Sequence, residues 1–403
     1  YFGFSNEVIW PLFHDLFTNC NFEPSYWRSY REVNQRFAQA VADVAEPGDF
    51  VWVHDYHLMS LAADMRELGL DVKTGFFLHT PFPPLEIFLK LPWRFDILRG
   101  LLEFDSIGFQ TQRDRRNFLY CVRALFNASV DGTGSVVRLR VRDGLGDSGT
   151  VNMTRDISVG AFPIGIDFHR LADTAATEAV QQRARELRAD LSDRQLILGV
   201  DRLDYTKGLL NRLDAFRHAL RRYPELRGQI HLVQHVVPSR KEIPDYQQLR
   251  LDMERLISEI NGEFTESGWV PIHYMFHNLP FDELVAYYVA ADIALVTSLK
   301  DGMNLVAKEY CAAQNDNHGV LILSEFAGAA SQLQKGALLV NPHDIDQTAG
   351  RIRQAFLMSR KEREERVRTR RRSIRTQDVF RWADAFLSVT ASHEVSQLPY
   401  SGD

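Results

Sequence analysis

Short runs of apolar residues alternate along the chain with stretches whose apolar positions recur every three to four residues. This is the pattern of buried parallel strands crossed by helices. The runs Phe50–Val53, Thr74–Leu78 and Ser106–Phe109 predict strands of a first sheet, and Ser60–Leu68 and Pro84–Leu101 carry helical spacing between them. From Ser135 to Ala161 the pattern turns β-rich around the turn-forming Asp143–Gly149, which predicts a hairpin insertion. A strongly helical segment over Thr174–Leu191 follows. A second series of apolar runs, Gln195–Val200, Gln229–Gln234, Pro271–Met275, Ile293–Thr297, Val320–Leu323 and Ala337–Val340, predicts a second α/β sheet. The last amphipathic segment, Gln377–Val389, has no strand after it and is expected to cross back onto the first domain. The pattern thus divides the chain into residues 1–190 and 191–376, with 377–395 as the returning helix.

A chain of 403 residues exceeds the size at which one core stops growing, so two domains agree with its length. Apolar residues at 45% and charged residues at 25% are ordinary globular composition, which excludes a disordered or fibrous protein. The net charge of -6 disfavours nucleic acid as a partner, because phosphate backbones are held by excess Lys and Arg. The three cysteines, Cys20, Cys121 and Cys311, stand far apart with no C-x-x-C spacing, so no disulfide framework or zinc site is indicated. No stretch approaches the roughly 18 to 20 apolar residues that span a bilayer. A cytoplasmic protein without a membrane partner is expected, and a homo-oligomer is left open.

In open α/β sheets ligands sit beyond the carboxyl ends of the strands, so polar residues just after an apolar run are the first candidates. After Phe50–Val53 come His54, Asp55, Tyr56 and His57; after Gly75–Leu78 come His79 and the rigid Thr80-Pro81-Phe82-Pro83 turn. Asp55 and His79 are the favoured pair, and a metal site built on the histidines is not expected. After Gln195–Val200, Arg202 and Lys207 stand five residues apart across a turn and can converge on one anion. A forked guanidinium with a point-charge ammonium suits a diphosphate leaving group.

After Ile293–Thr297, the stretch Asp301-Gly302-Met303-Asn304-Leu305-Val306-Ala307-Lys308-Glu309-Tyr310 reads as a loop entering a helix. The N–H groups of Asn304, Leu305 and Val306 would form an anion-binding helix start. Glu309 lies one turn beyond Leu305, where a carboxylate fits a ribose diol next to a diphosphate. Arg240, in Val237-Pro238-Ser239-Arg240 after another apolar run, is placed to hold a second phosphate. The charged run Lys361–Arg375 reads as a solvated helix.

The segments FSNEVIWPLFH, VWVHDYHLM, GFFLHTPFP, IGFQT, FPIGID, DRLDYTKGL, VPSR, DGMNLVAKEY and LSEFAGAA, in this order from Phe4 to about Trp382, resemble the trehalose-6-phosphate synthase family. These are retaining GT-B glycosyltransferases with two Rossmann-like domains facing each other across a cleft. The resemblance implies transfer of glucose from a nucleotide-glucose, UDP-glucose foremost, to glucose 6-phosphate, with no metal or other cofactor. It implies that Arg202 and Lys207 hold the donor diphosphate and that Glu309 holds the ribose. Asp301 and the backbone of Gly302, Met303, Asn304, Leu305 and Val306 would meet the donor glucose and phosphates, and His79 the donor glucose. Tyr1, Trp10, Asp55 and Arg240 would form the glucose 6-phosphate pocket, with Arg240 on the phosphate.

In that family a strand and a glycine-rich loop precede the first of these motifs, and another arginine there serves the acceptor phosphate. The chain begins at Tyr1, three residues ahead of that motif, and is read as N-terminally truncated, with weaker binding or turnover expected. Gln234-His235-Val236-Val237 is less apolar than a run before Pro238 should be, and the pattern offers no role for His235. The alternatives are a relative acting on another acceptor, as in glucosylglycerol-phosphate or pseudo-disaccharide synthases, and a non-catalytic sugar-phosphate sensor. The nucleotide base stays open, because base recognition in such folds leans on backbone groups.

Overall fold

The computed structural model describes residues 1–391 except 127, 133, 135, 143–153, 193 and 240–242. The turn-rich stretch 143–149, Arg240 and the end of the returning helix at 392–395 lie outside the described residues. The chain divides into two compact units, Tyr1–Pro163 with Arg381–Asp403, and Ile164–Phe380.

The boundary therefore falls between Pro163 and Ile164, earlier than residue 190. The helices Phe168–Ala176 and Glu178–Asp190 bury Leu171, Val180 and Leu187 in one cluster with Leu196, Val285 and Leu321, so packing assigns them to the second unit. The helical run expected over Thr174–Leu191 is interrupted at Thr177, whose backbone is extended.

Among the described residues, the first unit holds one sheet built from β1 (Phe50–His54), β2 (Lys73–Leu78), β3 (Ser106–Phe109), β4 (Ala128–Asp131), β5 (Val136–Arg142) and β6 (Thr154–Ala161), in the order β1-β2-β3-β6-β5-β4. The pairs β1·β2, β2·β3 and β3·β6 are parallel, whereas β5 runs antiparallel to both β6 and β4. The segment read as a hairpin insertion is thus part of the sheet. Its second arm, β6, is a central strand with Ile157 and Val159 fully buried. The helix expected over Pro84–Leu101 is two, Leu85–Phe88 and Arg94–Leu102, with Pro92 between them. A proline inside a helix removes a hydrogen bond and clashes with the preceding turn. The returning helix, Val379–Ala391, buries Phe386 against Phe77, Val136 and Phe162, and its ring stacks on Trp52 at 4.9 Å.

The second unit's sheet joins β7 (Gln195–Arg202), β8 (Ile230–Val237), β9 (Ile272–Met275), β10 (Ile293–Val296), β11 (Val320–Ser324) and β12 (Leu338–Val340) in the order β12-β11-β10-β7-β8-β9. Every pair is parallel. Both faces are covered, which is why these strands read as nearly unbroken apolar runs. Strand order reverses between β7 and β10, the switch point at whose carboxyl side α/β sheets bind ligands.

The charged run Lys361–Arg375 forms the helix Arg360–Thr376, but it is not simply solvated: Arg363, Val367, Arg370 and Ile374 are buried along one face. Arg370, 1% exposed, donates to the carbonyls of Gly336 and Gly319 at 2.8 and 2.7 Å. An arginine can line a core when its apolar stem packs and its N–H groups find carbonyl acceptors.

Candidate functional site

At the carboxyl end of β7, Arg202 is exposed and Tyr205–Lys207 form a single tight helical turn. Asp204 caps that turn, accepting from the amide and the hydroxyl of Thr206, both at 2.9 Å. The turn ends on Gly208 with φ +61°, and a Cβ there would collide with the carbonyl oxygen of Thr297 just beyond β10. Glycine is therefore what lets the β7 turn close on the end of β10. The closure brings Lys207 Nζ within 2.7 Å of Asp301 Oδ2. Burial works against the charge on Lys207, but Asp301, Asp204 and Asp201 outweigh it and raise its pKa, so the ammonium is charged at neutral pH.

Asp301 organises the loop that follows. Its carboxylate also accepts from Asn304 Nδ2 at 3.1 Å and from the amide of Met303 at 3.3 Å. Asn304 adopts φ +76° and caps the helix Leu305–Ala313, its Oδ1 accepting from the amide of Ala307 at 3.0 Å. The amides of Leu305 and Val306 have no acceptor within such a helix, and they point with the positive end of its dipole toward an anion.

The loop is clamped from behind by the LSEFAGAA segment. The amide of Gly328 donates to Asp301 O at 3.0 Å and that of Ala329 to Met303 O at 2.6 Å, and a Cβ on Gly328 would strike the carbonyl of Gly302. One turn into the helix, Glu309 accepts from the hydroxyl of Tyr288 at 2.8 Å, and burial raises its pKa. Two cations, a helix start and a half-buried carboxylate thus sit around two adjacent strand ends. That arrangement can bind a diphosphate joined to a diol.

The first unit has its own cluster after β1. Asp55 adopts φ +67° and ψ 174°, a backbone state that costs a non-glycine residue about 1–3 kcal/mol and recurs at functional sites. Its amide is held by the Phe77 carbonyl at 2.7 Å. The neighbouring turn gathers two further residues: Tyr1 stacks on His57 with ring centroids 5.5 Å apart, and Trp10 packs against Tyr56 at 6.0 Å. Tyr1, Trp10 and Asp55 are therefore assembled on one turn.

At the end of β2, His79 Nδ1 accepts from Gln110 Nε2 at 3.3 Å, and His79 Nε2 lies 3.1 Å from His54 Nδ1. As Nδ1 accepts, the proton of His79 sits on Nε2 and is donated to His54. Burial first, and His54 second, lower the pKa of His79 to about 4. Its imidazole is neutral at pH 7, with both ring nitrogens engaged by Gln110 and His54.

Three residues at these sites escaped the sequence reading. Gln110 directly follows β3 and obeys the same strand-end rule that singled out Asp55 and His79. Tyr288, which holds Glu309, comes from the apolar helix Phe281–Ala290, where nothing in the pattern distinguishes it. Lys308 is fully buried, donates to the Ile164 carbonyl at 2.6 Å, and has its pKa lowered to about 7 by burial. His235 also gains an explanation: its Nε2 donates to the His277 carbonyl at 2.7 Å, and burial keeps the ring neutral. Among the described residues, no group of three or more His, Cys, Asp or Glu side chains is arranged to hold a metal ion.

The sequence model of glycosyltransferase family 20 matches residues 1–392. A trehalose-6-phosphate synthase from Mycobacterium avium (strain 104) is 46% identical over 393 residues, 97% of this chain and 78% of that protein. Among solved structures, an alpha,alpha-trehalose-phosphate synthase (UDP-forming) from Burkholderia xenovorans in complex with glucose-6-phosphate superposes with a TM-score of 0.91 at 36% identity, covering 97% of this chain and 84% of that one. A structure described as trehalose-6-phosphate from E. coli bound with UDP-2-fluoro glucose superposes with a TM-score of 0.90 at 36% identity, covering 97% and 83%.

Proposed function

The chain belongs to glycosyltransferase family 20, and from that premise we infer that it transfers the glucosyl unit of UDP-glucose to glucose 6-phosphate, giving trehalose 6-phosphate and UDP. The observation that carries this reading to individual residues is the junction of β7 and β10, where Lys207, Asp301 and the Asn304-capped helix start meet. Arg202 and Lys207 hold the diphosphate, with the amides of Leu305 and Val306 beside them. Asp301 and the Gly302–Asn304 backbone meet the donor glucose and phosphates, and Glu309 accepts from the ribose hydroxyls. His79 meets the donor glucose, while Tyr1, Trp10 and Asp55 bind the acceptor sugar. Arg240 takes its phosphate.

In the reaction the bond from the anomeric carbon to the β-phosphate oxygen breaks, and a bond to the acceptor hydroxyl oxygen forms on the same face. The departing phosphate oxygen takes the hydroxyl proton, so configuration is retained without a carboxylate nucleophile. Arg202, Lys207 and the helix start stabilise the growing negative charge, and losing one such donor costs about 3–4 kcal/mol in the transition state. The two cations supply the charge that a divalent metal brings to a diphosphate elsewhere, so no metal is needed. The three free cysteines are in keeping with a reducing, cytoplasmic setting. No helix among the described residues is long and apolar enough to cross a membrane.

The test is an assay of the intact protein with glucose 6-phosphate and, separately, glycerol phosphate, against UDP-, GDP- and ADP-glucose. The product is identified by mass and anomeric configuration. Transfer from UDP-glucose to glucose 6-phosphate with an α,α linkage is expected, undiminished by EDTA. Preference for another acceptor refutes the acceptor assignment, and loss of transfer in EDTA that Mg²⁺ restores refutes the metal-free mechanism.

A further inference from the structure

We propose that Arg212 is a positioning residue for the nucleotide-sugar site, fixing the carboxyl ends of β7, β8 and β10 relative to one another. The inference rests on the donor-site reading above. Arg212 lies in the helix Leu209–Arg222 that follows the Lys207 turn, and it is 0% exposed. Its Nη1 donates to Asp201 Oδ2 at 2.6 Å and to Gln234 Oε1 at 3.2 Å, and its Nε donates to Thr297 Oγ1 at 3.1 Å. These acceptors come from three neighbouring positions in the sheet order β10-β7-β8. Asp201 immediately precedes Arg202, Gln234 lies in β8, and Thr297 follows β10 and leads into the Asp301 loop.

The grip extends to the site itself. Thr297 Oγ1 donates to the Gly208 carbonyl at 3.3 Å, and Gly208 is the residue after Lys207. The strand makes room for the guanidinium: a Cβ on Gly199 of β7 would stand 2.6 Å from Arg212 Nη1 and 2.8 Å from Gln234 Oε1. One buried side chain therefore links both segments that meet as Lys207 and Asp301.

A buried ion pair is weak evidence for stability, since an apolar side chain of similar volume often serves the core as well. What methionine or lysine cannot supply is a rigid planar fork that addresses three acceptors at fixed angles. The fork sets where the ends of β7 and β10 lie. It thereby sets the spacing of Arg202, Lys207 and Asp301 around the diphosphate, none of which Arg212 needs to touch in order to matter.

The experiment compares Arg212→Lys, Thr297→Val and Lys207→Ala with the parent in the intact protein. It reads UDP affinity by calorimetry, kcat, and the KM values for UDP-glucose and glucose 6-phosphate, with folding followed by near-UV circular dichroism and melting temperature. Arg212→Lys, folded, is expected to weaken UDP and UDP-glucose by about 10-fold or more, the scale of one lost hydrogen bond to a charged group. The KM for glucose 6-phosphate should stay within about twofold. Thr297→Val, which breaks a single arm of the fork, should weaken UDP by about 3-fold with the same acceptor-independent profile.

A folded Arg212→Lys that binds UDP as the parent does overturns the inference. So does one in which both substrates weaken in equal proportion, because that is general loosening of the unit. If Arg212→Lys does not fold, Thr297→Val decides by the same criteria. Lys207→Ala separates the two readings: if it loses UDP while the Arg212 and Thr297 variants keep it, the positioning role alone fails. If Lys207→Ala itself retains UDP, the donor-site assignment fails and this inference with it.

Discussion

His79 is half-buried at the end of β2, and its pKa of about 4 lies below the ordinary imidazole value of about 6.5. Between these two pH values the unfolded chain binds a proton that the folded chain does not. Stability from this group is therefore complete above about pH 6.5 and is lost as pH falls toward 4, by roughly 3 kcal/mol in all. Urea unfolding at pH 7 and 4.5 should show that loss in the parent and a shallower one in His79→Gln; equal slopes would mean that another group governs acid sensitivity. Glu309 offers a functional counterpart, as its carboxylate is held by Tyr288 one turn from the helix start. Glu309→Gln is expected to weaken UDP by about 10- to 100-fold and to spare glucose 6-phosphate, because a charge-assisted hydrogen bond contributes about 1.5–3 kcal/mol. Calorimetry with UDP checks this directly.

At the scale of elements, the helix Leu305–Ala313 depends on a residue with two duties. Asn304 caps it through Oδ1 and sits at φ +76°, a conformation that asparagine and glycine tolerate and most residues do not. Asn304→Gly loses the cap but keeps the backbone, whereas Asn304→Ala loses the cap and strains the backbone. Alanine should therefore be the worse substitution, costing about 1–2 kcal/mol against a few tenths for glycine, as read from denaturant midpoints. An equal cost for the two would place the residue's value in its contacts with Asp301 instead. The same stretch shows why its sequence is readable: a loop entering a helix just after an apolar run, with a carboxylate one turn in, forms a local signal. The arginine-rich helix Arg360–Thr376 was misread for the opposite reason. Its charges look solvated until Gly336 and Gly319 supply carbonyls for Arg370, and those partners are distant in sequence.

At the scale of the whole molecule, the first unit is completed by a segment remote in the chain, whereas the second is continuous. The returning helix contributes Phe386 to the core of the first unit, where Gly75 and Gly108 leave room for its ring; a Cβ on either would stand 2.9 or 2.8 Å from it. Phe386→Ala should cost about 3–5 kcal/mol, since neighbours held by a sheet cannot collapse into the space. It should lower the melting temperature without altering the ratio of the two KM values. A melting temperature unchanged by this substitution would show that the helix end is not part of the folded core.

The sequence by itself determined the two α/β units, the strand positions apart from β4, and the residues that follow the parallel strands. Buried parallel strands must be continuously apolar, and the first polar residue beyond each is conspicuous. Thus Asp55, His79, Arg202, Lys207 and the Asp301–Glu309 stretch were all legible. Tertiary structure alone decided the unit boundary at Pro163, the central place of β6, and the partners that tune the site. Lys207 and Asp301 are 94 residues apart, Arg212 and Thr297 85, and Lys308 and Ile164 144. Periodicity states which face of an element is buried. Which distant atom that face meets depends on how the strands are ordered in the sheet, and that order is set by the packing of the whole unit.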